Sequence, residues 1–366
     1  MMAPAVKRKG KSGGQEKDAA GSAAAASGSS RGSTASARPS SAGPVAAAAA
    51  LSVVLALAGG FLFDPAPAGV AAGSGTGTGA GTGAAVGRPA GTSAAIWAST
   101  GDLALGEPLL ANVTCAAHGV EGACGAPRTH GRCARFVLDD AVPEADAQVL
   151  RKMIEWIMEE AWGGGSGPPS VVDLHQGSIS YKEQFIELAA LMEFKQISFT
   201  EEQKATYQRV RQALRGIVSR QFGIPENDLL HDFSFFSHIN GSKEANTIHD
   251  EYWHQHTDTE QYGTFEYTSL LYLSTLREDF DGGEFVFESS GTQEGERAVA
   301  VEPRFNRLVA FTSDAENPHR VEKVSRGIRI ALTAAFTCSA EKADAMGPAF
   351  PPKRPEAEEV EAGAVA

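Results

Sequence analysis

Between Pro143 and Pro225 apolar residues recur every three or four positions; after Pro225 they alternate or run in short blocks. The first pattern predicts helices and the second predicts strands. In PEADAQVLRKMIEWIMEEAW, which Pro143 opens, Val149, Leu150, Met153, Ile154, Ile157, Met158 and Ala161 fall on one stripe, and Gly163-Gly164-Gly165 ends the helix. Tyr181 to Phe194 repeats the spacing through Phe185, Leu188, Leu191 and Met192. Thr200 with Gln203 reads as a capping box for a third helix. Its stripe is Tyr207, Val210, Leu214, Ile217 and Val218, and Gly223 and Pro225 stop it. Met and aromatic residues at this spacing are packing surface.

Past Pro225 come β-prone runs such as HDFSFFSHI, FEYTSLLYLS, GEFVFES, RLVAFT and GIRIALTAAFT, punctuated by Asp281-Gly282-Gly283 and Arg304-Phe305-Asn306. Many short strands at regular spacing predict a sandwich or barrel. Helices followed by strands give an α+β layout, a helical layer packed on a β-sandwich.

Composition limits where this domain lies. Roughly the first hundred residues are Ala, Gly and Ser with almost no aromatics, and the tail after Met346 is acidic and Pro-rich. Neither stretch carries enough apolar surface to offset its ordering entropy. The expected organisation is a disordered segment 1–43, a membrane span 44–63, a stalk 64–111, a domain 112–340 with its jelly-roll core at about 226–337, and a disordered tail 341–366. The run GSGTGTGAGTG reads as a low-complexity linker, since no strand precedes it and no helix follows. PVAAAAALSVVLALAGGFLF, residues 44–63, has the length of a membrane helix. Lys7, Arg8, Lys9, Lys11, Lys17, Arg31 and Arg38 precede it, which predicts a cytoplasmic N-terminus and a type II protein of the secretory pathway with a lumenal domain. A cleaved signal peptide is the alternative. The sequons at Asn112 and Asn240 agree with export and predict glycosylation. Cys115, Cys124, Cys133 and Cys338 suit disulfides in such a compartment, with three pairings open. The net charge is −13, with no basic stripe in the folded part, so nucleic acid is excluded as a partner.

Candidate chemistry concentrates at His256-Thr257-Asp258. On an extended chain residues i and i+2 project to one side, so an imidazole and a carboxylate can reach one metal. His319 is the candidate third ligand. Two His and one carboxylate on one face of an octahedron leave three positions open, the arrangement of non-haem Fe(II) oxygenases. A dicarboxylate co-substrate needs a cation at its far end, and Arg329 in GIRIALT suits it, with Thr333 on the same side of a strand. His254 is a hydrogen-bonded neighbour or a fourth ligand. His118 and His130 sit in a lead-in that reads as a disulfide-stapled loop before a zinc site. His231 and His238 read as ordinary strand residues.

HTD at 256–258, LYLS at 271–274, DGGEFVF at 281–287 and PRFNRLVAFTSDAENPHRVEKVSRGIRIALTAAF at 303–336 together resemble the prolyl 4-hydroxylase-like family of 2-oxoglutarate/iron oxygenases, over about Phe136 to Phe336. The resemblance implies a double-stranded β-helix with helices along one side. It implies decarboxylation of 2-oxoglutarate to succinate, usually coupled to hydroxylation, with ascorbate re-reducing the iron. Iron ligation carries onto His256, Asp258 and His319, the carboxylate-binding cation onto Arg329, and a co-substrate contact onto Tyr272. The expected substrate is a peptide or protein side chain, prolyl or similar. Where many members carry Tyr three residues before the first His, this chain has Trp253, with Tyr252 beside it. The competing readings are a catalytically inactive jelly roll that binds a lumenal partner and a jelly roll carrying another divalent metal.

Overall fold

Fourteen strands form two sheets among the described residues, a larger one with order β2-β3-β12-β8-β14-β7-β4-β5-β6, to which β9 (Phe280–Gly282) adds on β14, and a smaller one with order β1-β11-β10-β13. The structure is a computed structural model that describes residues 94–352, apart from 102, 104–105, 116–123, 125–132, 292–295 and 344–347. All of these fall in one compact unit, residues 46–366. The expected span 44–63, the flanking segments 1–43 and 353–366, His118 and His130 lie outside the described residues. Among the described residues no helix is long and apolar enough to cross a membrane.

Strand β14 (Val324–Thr337) shows how the pattern sets the layers. Its Ile330, Leu332, Ala334 and Phe336 join one apolar cluster with Leu150, Ile154 and Ile157 of α1 (Glu144–Glu160) and Tyr207, Leu214 and Val218 of α3 (Glu201–Phe222). The intervening Ala331 belongs to a second cluster with Tyr272, Phe285, Phe287, Val309 and Phe311. Period-two alternation therefore splits one strand between two cores. The larger sheet is buried on both faces, by helices on one side and by the smaller sheet on the other, so β8 (Tyr267–Tyr272) and β12 (Leu308–Thr312) are buried at every position. This is a jelly-roll-like sandwich with a helical layer, the expected α+β class.

The first and third helices form where the stripes place them. The Thr200 hydroxyl accepts from the Gln203 N–H while the Thr200 N–H donates to the Gln203 side-chain oxygen, and Gly223 caps the other end at φ 71°. The second differs. Only Leu188–Lys195 is helical, as α2, and Gln184–Glu187 is strand β6, paired with β5 (Ser178–Tyr181) through Ile179–Ile186 and Ser180–Phe185. The cause is non-local. β4 (Pro169–Asp173) pairs with the edge of β7 (Leu230–Asn240), and β5 and β6 extend that sheet, which satisfies backbone groups that local helical spacing would have satisfied otherwise.

The fold also takes in more of the N-terminal side than the expected stalk allows. β1 (Ala95–Ala98) lies within 64–111, yet it pairs with β11 (Val299–Val301). Trp97 sets its ring 6.1 Å from Phe287. Fully buried Arg307 fixes this strand. Its guanidinium donates to both oxygens of Asp139, to the Glu302 carbonyl and to the Ser99 carbonyl just past β1. Such a cation is tolerable only because its donors are met.

Of the three open pairings, the structure has Cys115–Cys133 and Cys124–Cys338. The second joins the chain before β3 (Cys133–Leu138) to the residue after β14, a separation of 214 residues. Loop-closure entropy makes this the more stabilising bond. Cys338→Ser, paired with Cys124→Ser to leave no lone thiol, is expected to cost about 2 to 5 kcal/mol of stability. Chemical denaturation checks this; an unchanged midpoint would show that the bond is dispensable.

Candidate metal centre

The chain crosses itself at His256 and His319. His256 N–H donates to the His319 carbonyl and His319 N–H donates to the His256 carbonyl, both at 2.9 Å. This antiparallel bridge sets the imidazoles side by side, with ring centroids 4.4 Å apart. His319 opens β13 (His319–Val321) opposite Phe287 of β10 (Phe285–Phe287). Thr257 is still extended, but Asp258 begins a short helix, α4 (Asp258–Tyr262), so the expected strand ends one residue early. The carboxylate nevertheless reaches the rings. His256 Nε2 is 3.8 Å and His319 Nε2 3.5 Å from Asp258 Oδ1, and the ligand atoms of the three residues lie within 4.8 Å of one another.

The surroundings fix which atoms face this point. His256 Nδ1 lies 3.0 Å from the His254 carbonyl and His319 Nδ1 lies 2.9 Å from the Asn317 carbonyl. A carbonyl only accepts, so each ring carries its proton on Nδ1 and presents an Nε2 lone pair inward. Asp258 Oδ2 accepts from Thr268 Oγ1 at 2.6 Å, which turns Oδ1 toward the imidazoles. Burial and the adjacent His319 hold His256 down to about 4, against a smaller opposite effect of Asp258. Burial acts to raise the Asp258 carboxyl, but His319, His256 and Thr268 outweigh it and keep it below the usual carboxylate range. A neutral imidazole at His256 and an anionic Asp258 suit a divalent cation, which binds deprotonated ligands. The separations exceed hydrogen-bond range and match a point that an ion, not a proton, would hold together.

Aromatic rings wall this point off. Phe285 stacks on His319 with centroids 4.9 Å apart, and Phe311 meets it edge-on at 4.8 Å. Tyr272 joins the same cluster from β8 and lies opposite Ala331 of β14. Two residues before Ala331 is Arg329, 1% exposed, with its guanidinium carbon 5.1 Å from the Tyr272 ring centroid. Arg329 Nε donates to the Gly283 carbonyl at 3.0 Å, while Nη2 has no partner among the described residues, and neither has the Tyr272 hydroxyl. Burial raises the Tyr272 phenol, with Arg329 opposing it. Gly283 must be glycine. Its φ is +73°, and a Cβ there would stand 2.9 Å from Val324 and 3.0 Å from the Arg329 side chain. Thr333 lies four residues along β14 from Arg329, on the same face.

Of the other candidates, His254 Nε2 is 2.7 Å from Glu251 and is thus engaged outside the triad. His231 and His238 lie on β7, held well down, to about 3 and about 4, chiefly by burial. Trp253 lies under the Lys323 ammonium at 3.6 Å, and the Tyr252 hydroxyl accepts from the Val324 backbone at 2.6 Å. Asn112 is exposed on β2 (Leu109–Val113), and Asn240 ends β7 with its side-chain carbonyl accepting from Ser242. No local signal marks Thr268 in the alternating run EYTSLLYLS, nor the ring wall of Phe285 and Phe311, which forms where β10, paired with β13, packs on β12 of the larger sheet.

Residues 242–337 match the model of the 2OG-Fe(II) oxygenase superfamily. The chain is 43% identical over 225 residues to human 2-oxoglutarate and iron-dependent oxygenase domain-containing protein 3, covering 61% of this chain and 68% of that protein. It is 44% identical over 213 residues to the rat protein of that name, covering 58% of this chain and 65% of the relative, just under two thirds of its length. A 72-residue stretch is 39% identical to mouse prolyl 3-hydroxylase 2, covering 20% of this chain and 10% of that protein.

Thr268→Val removes the bond that orients Asp258 while keeping the side-chain volume. Mn2+ affinity by isothermal titration calorimetry is expected to fall about ten- to a hundredfold, with the melting temperature of the apo protein nearly unchanged. Undiminished affinity would show that Thr268 does not position the carboxylate.

Proposed function

Because this chain belongs to the 2-oxoglutarate/Fe(II) oxygenase superfamily, we propose that it is an active dioxygenase that oxidises a peptide or protein side chain, prolyl or similar. The observation that carries this reading is the convergence of two inward-facing imidazole lone pairs and one carboxylate oxygen on a single point. His256, Asp258 and His319 would hold ferrous ion there. With iron and 2-oxoglutarate bound, the chemistry supplied is oxidative decarboxylation. One dioxygen and one co-substrate give succinate and carbon dioxide as a substrate C–H becomes C–OH.

The chain's own residues have separate tasks in this scheme. Arg329 offers its unpartnered Nη2 to the distal carboxylate of the co-substrate, and the carbonyl of Gly283 fixes the guanidinium plane. Tyr272 adds a hydroxyl donor beside it, and Thr333 extends the polar lining of the same strand face. Phe285, Phe287 and Phe311 keep water from the reacting centre. Ascorbate would keep such an iron in its ferrous state. The prolyl-type substrate is supported by the similarity to a prolyl 3-hydroxylase over 72 residues.

The setting is part of the proposal. Two disulfides suit an oxidising lumen. The apolar segment 44–63, the basic residues before it and the sequons at Asn112 and Asn240 support a glycosylated type II membrane protein of the secretory pathway, with the catalytic domain lumenal.

Succinate formation from 2-oxoglutarate by the full-length chain in detergent, with iron and ascorbate, tests the activity. His256→Ala is expected to abolish turnover. Arg329→Ala is expected to raise the KM for 2-oxoglutarate by at least about a hundredfold, since it leaves a carboxylate without its buried partner. Folded wild type and variants that are equally inactive would instead support the binding-module alternative.

A further inference from the structure

A second cation faces the barrel interior at the level of the triad. Arg135 lies on β3, where it pairs with Phe311 of β12, which pairs in turn with Thr268 of β8, the residue that holds Asp258. Ala134 and Phe136, its neighbours along β3, belong to the helix-side core, whereas Val137 belongs to the barrel core. Alternation therefore turns Arg135 inward. Its guanidinium carbon is 4.7 Å from the centroid of Phe287 and 5.9 Å from that of Trp97. Phe287 is the register partner of His319, so a single aromatic layer separates Arg135 from the metal ligands.

Two donors of this guanidinium are unmet, and Glu296 is the anion beside it. Arg135 is 7% exposed, and Nε and Nη1 have no hydrogen-bond partner among the described residues. Glu296 Oε1 stands 3.7 Å from Nη2, beyond hydrogen-bond range, and Glu296 Oε2 is taken by the backbone and hydroxyl of Ser290. Arg307 shows what a structural arginine looks like in this fold, with Asp139 and two carbonyls meeting its donors. Arg135 instead shares the condition of Arg329, a buried cation with a donor left over. A buried guanidinium with unmet donors is costly unless something completes it.

Arg329 cannot be covering the same group. Thr268 pairs with Ala335, whereas Arg329 lies six residues earlier on β14. The two cations thus stand at different depths, and Arg135 lies at the depth where a substrate would meet the triad.

We propose that Arg135 is a specificity-determining residue that binds the carboxylate of an Asp or Glu side chain on the polypeptide substrate, near the residue to be oxidised. The proposal rests on the oxygenase reading above. The incoming carboxylate takes one of the free donors, Nε or Nη1, in a charge-assisted hydrogen bond. Glu296 partly neutralises the cation in the meantime and competes with that ligand.

The test is selection of a random-sequence peptide library on the full-length chain loaded with Mn2+ and N-oxalylglycine, which stand in for ferrous ion and 2-oxoglutarate. Wild type is expected to enrich Asp or Glu at one fixed position by at least about tenfold over the input. Arg135→Gln loses this enrichment, Arg135→Lys keeps part of it, and Glu296→Gln increases it. The oxygenase reading is scored separately, by succinate formation from 2-oxoglutarate in the wild-type chain. No acidic enrichment by wild type, or equal enrichment by wild type and Arg135→Gln, overturns the proposal. Should Arg135→Gln fail to fold, Glu296→Gln decides, and unchanged enrichment there overturns it.

Discussion

The reciprocal pair of backbone hydrogen bonds between His256 and His319 is the constraint on which the site depends. It joins two segments 63 residues apart in sequence, and it is made by main-chain atoms, so it sets ring positions before side-chain chemistry enters. The carbonyls of His254 and Asn317 then choose the tautomer, and Thr268 chooses the carboxylate oxygen. Preorganisation of this kind leaves little to be ordered when a metal arrives.

The same economy appears in the distribution of buried cations. The barrel interior is lined by Phe285, Phe287, Phe311 and Tyr272, a low-dielectric setting in which an unmatched guanidinium is costly. Arg307 is matched by Asp139 and backbone carbonyls, and it ties the first strand to the sheet. Arg329 and Arg135 keep nitrogens without a hydrogen-bond partner among the described residues. These are the positions at which the proposed ligands would complete them.

Much of this was legible in the sequence because it is local. The stripes of α1 and α3 and the Thr200 capping box depend on residues a few positions apart. The His-x-Asp spacing and the strand bearing Arg329 are local in the same way, whereas His319, far along the chain, was legible through the resemblance of the motifs around it to a known family. What escaped is decided by distant partners. Gln184–Glu187 has helical spacing but finds a strand in β5, and Ala95–Ala98 is four residues in a Gly/Ala-rich stretch that gain an edge from β11. Arg135 escaped because its inward aim follows from the register of β3 on β12, and a lone arginine in a strand carries no such signal. Thr268 and the aromatic wall escaped likewise.

The most direct measurement is a crystal structure of the protein soaked with Mn2+ and 2-oxoglutarate, with the metal located by its anomalous scattering. The account predicts one ion coordinated by His256 Nε2, Asp258 Oδ1 and His319 Nε2, chelated by the keto-acid end of the co-substrate, with the other carboxylate on Arg329. An ion bound elsewhere, or a co-substrate whose free end does not meet Arg329, would contradict it.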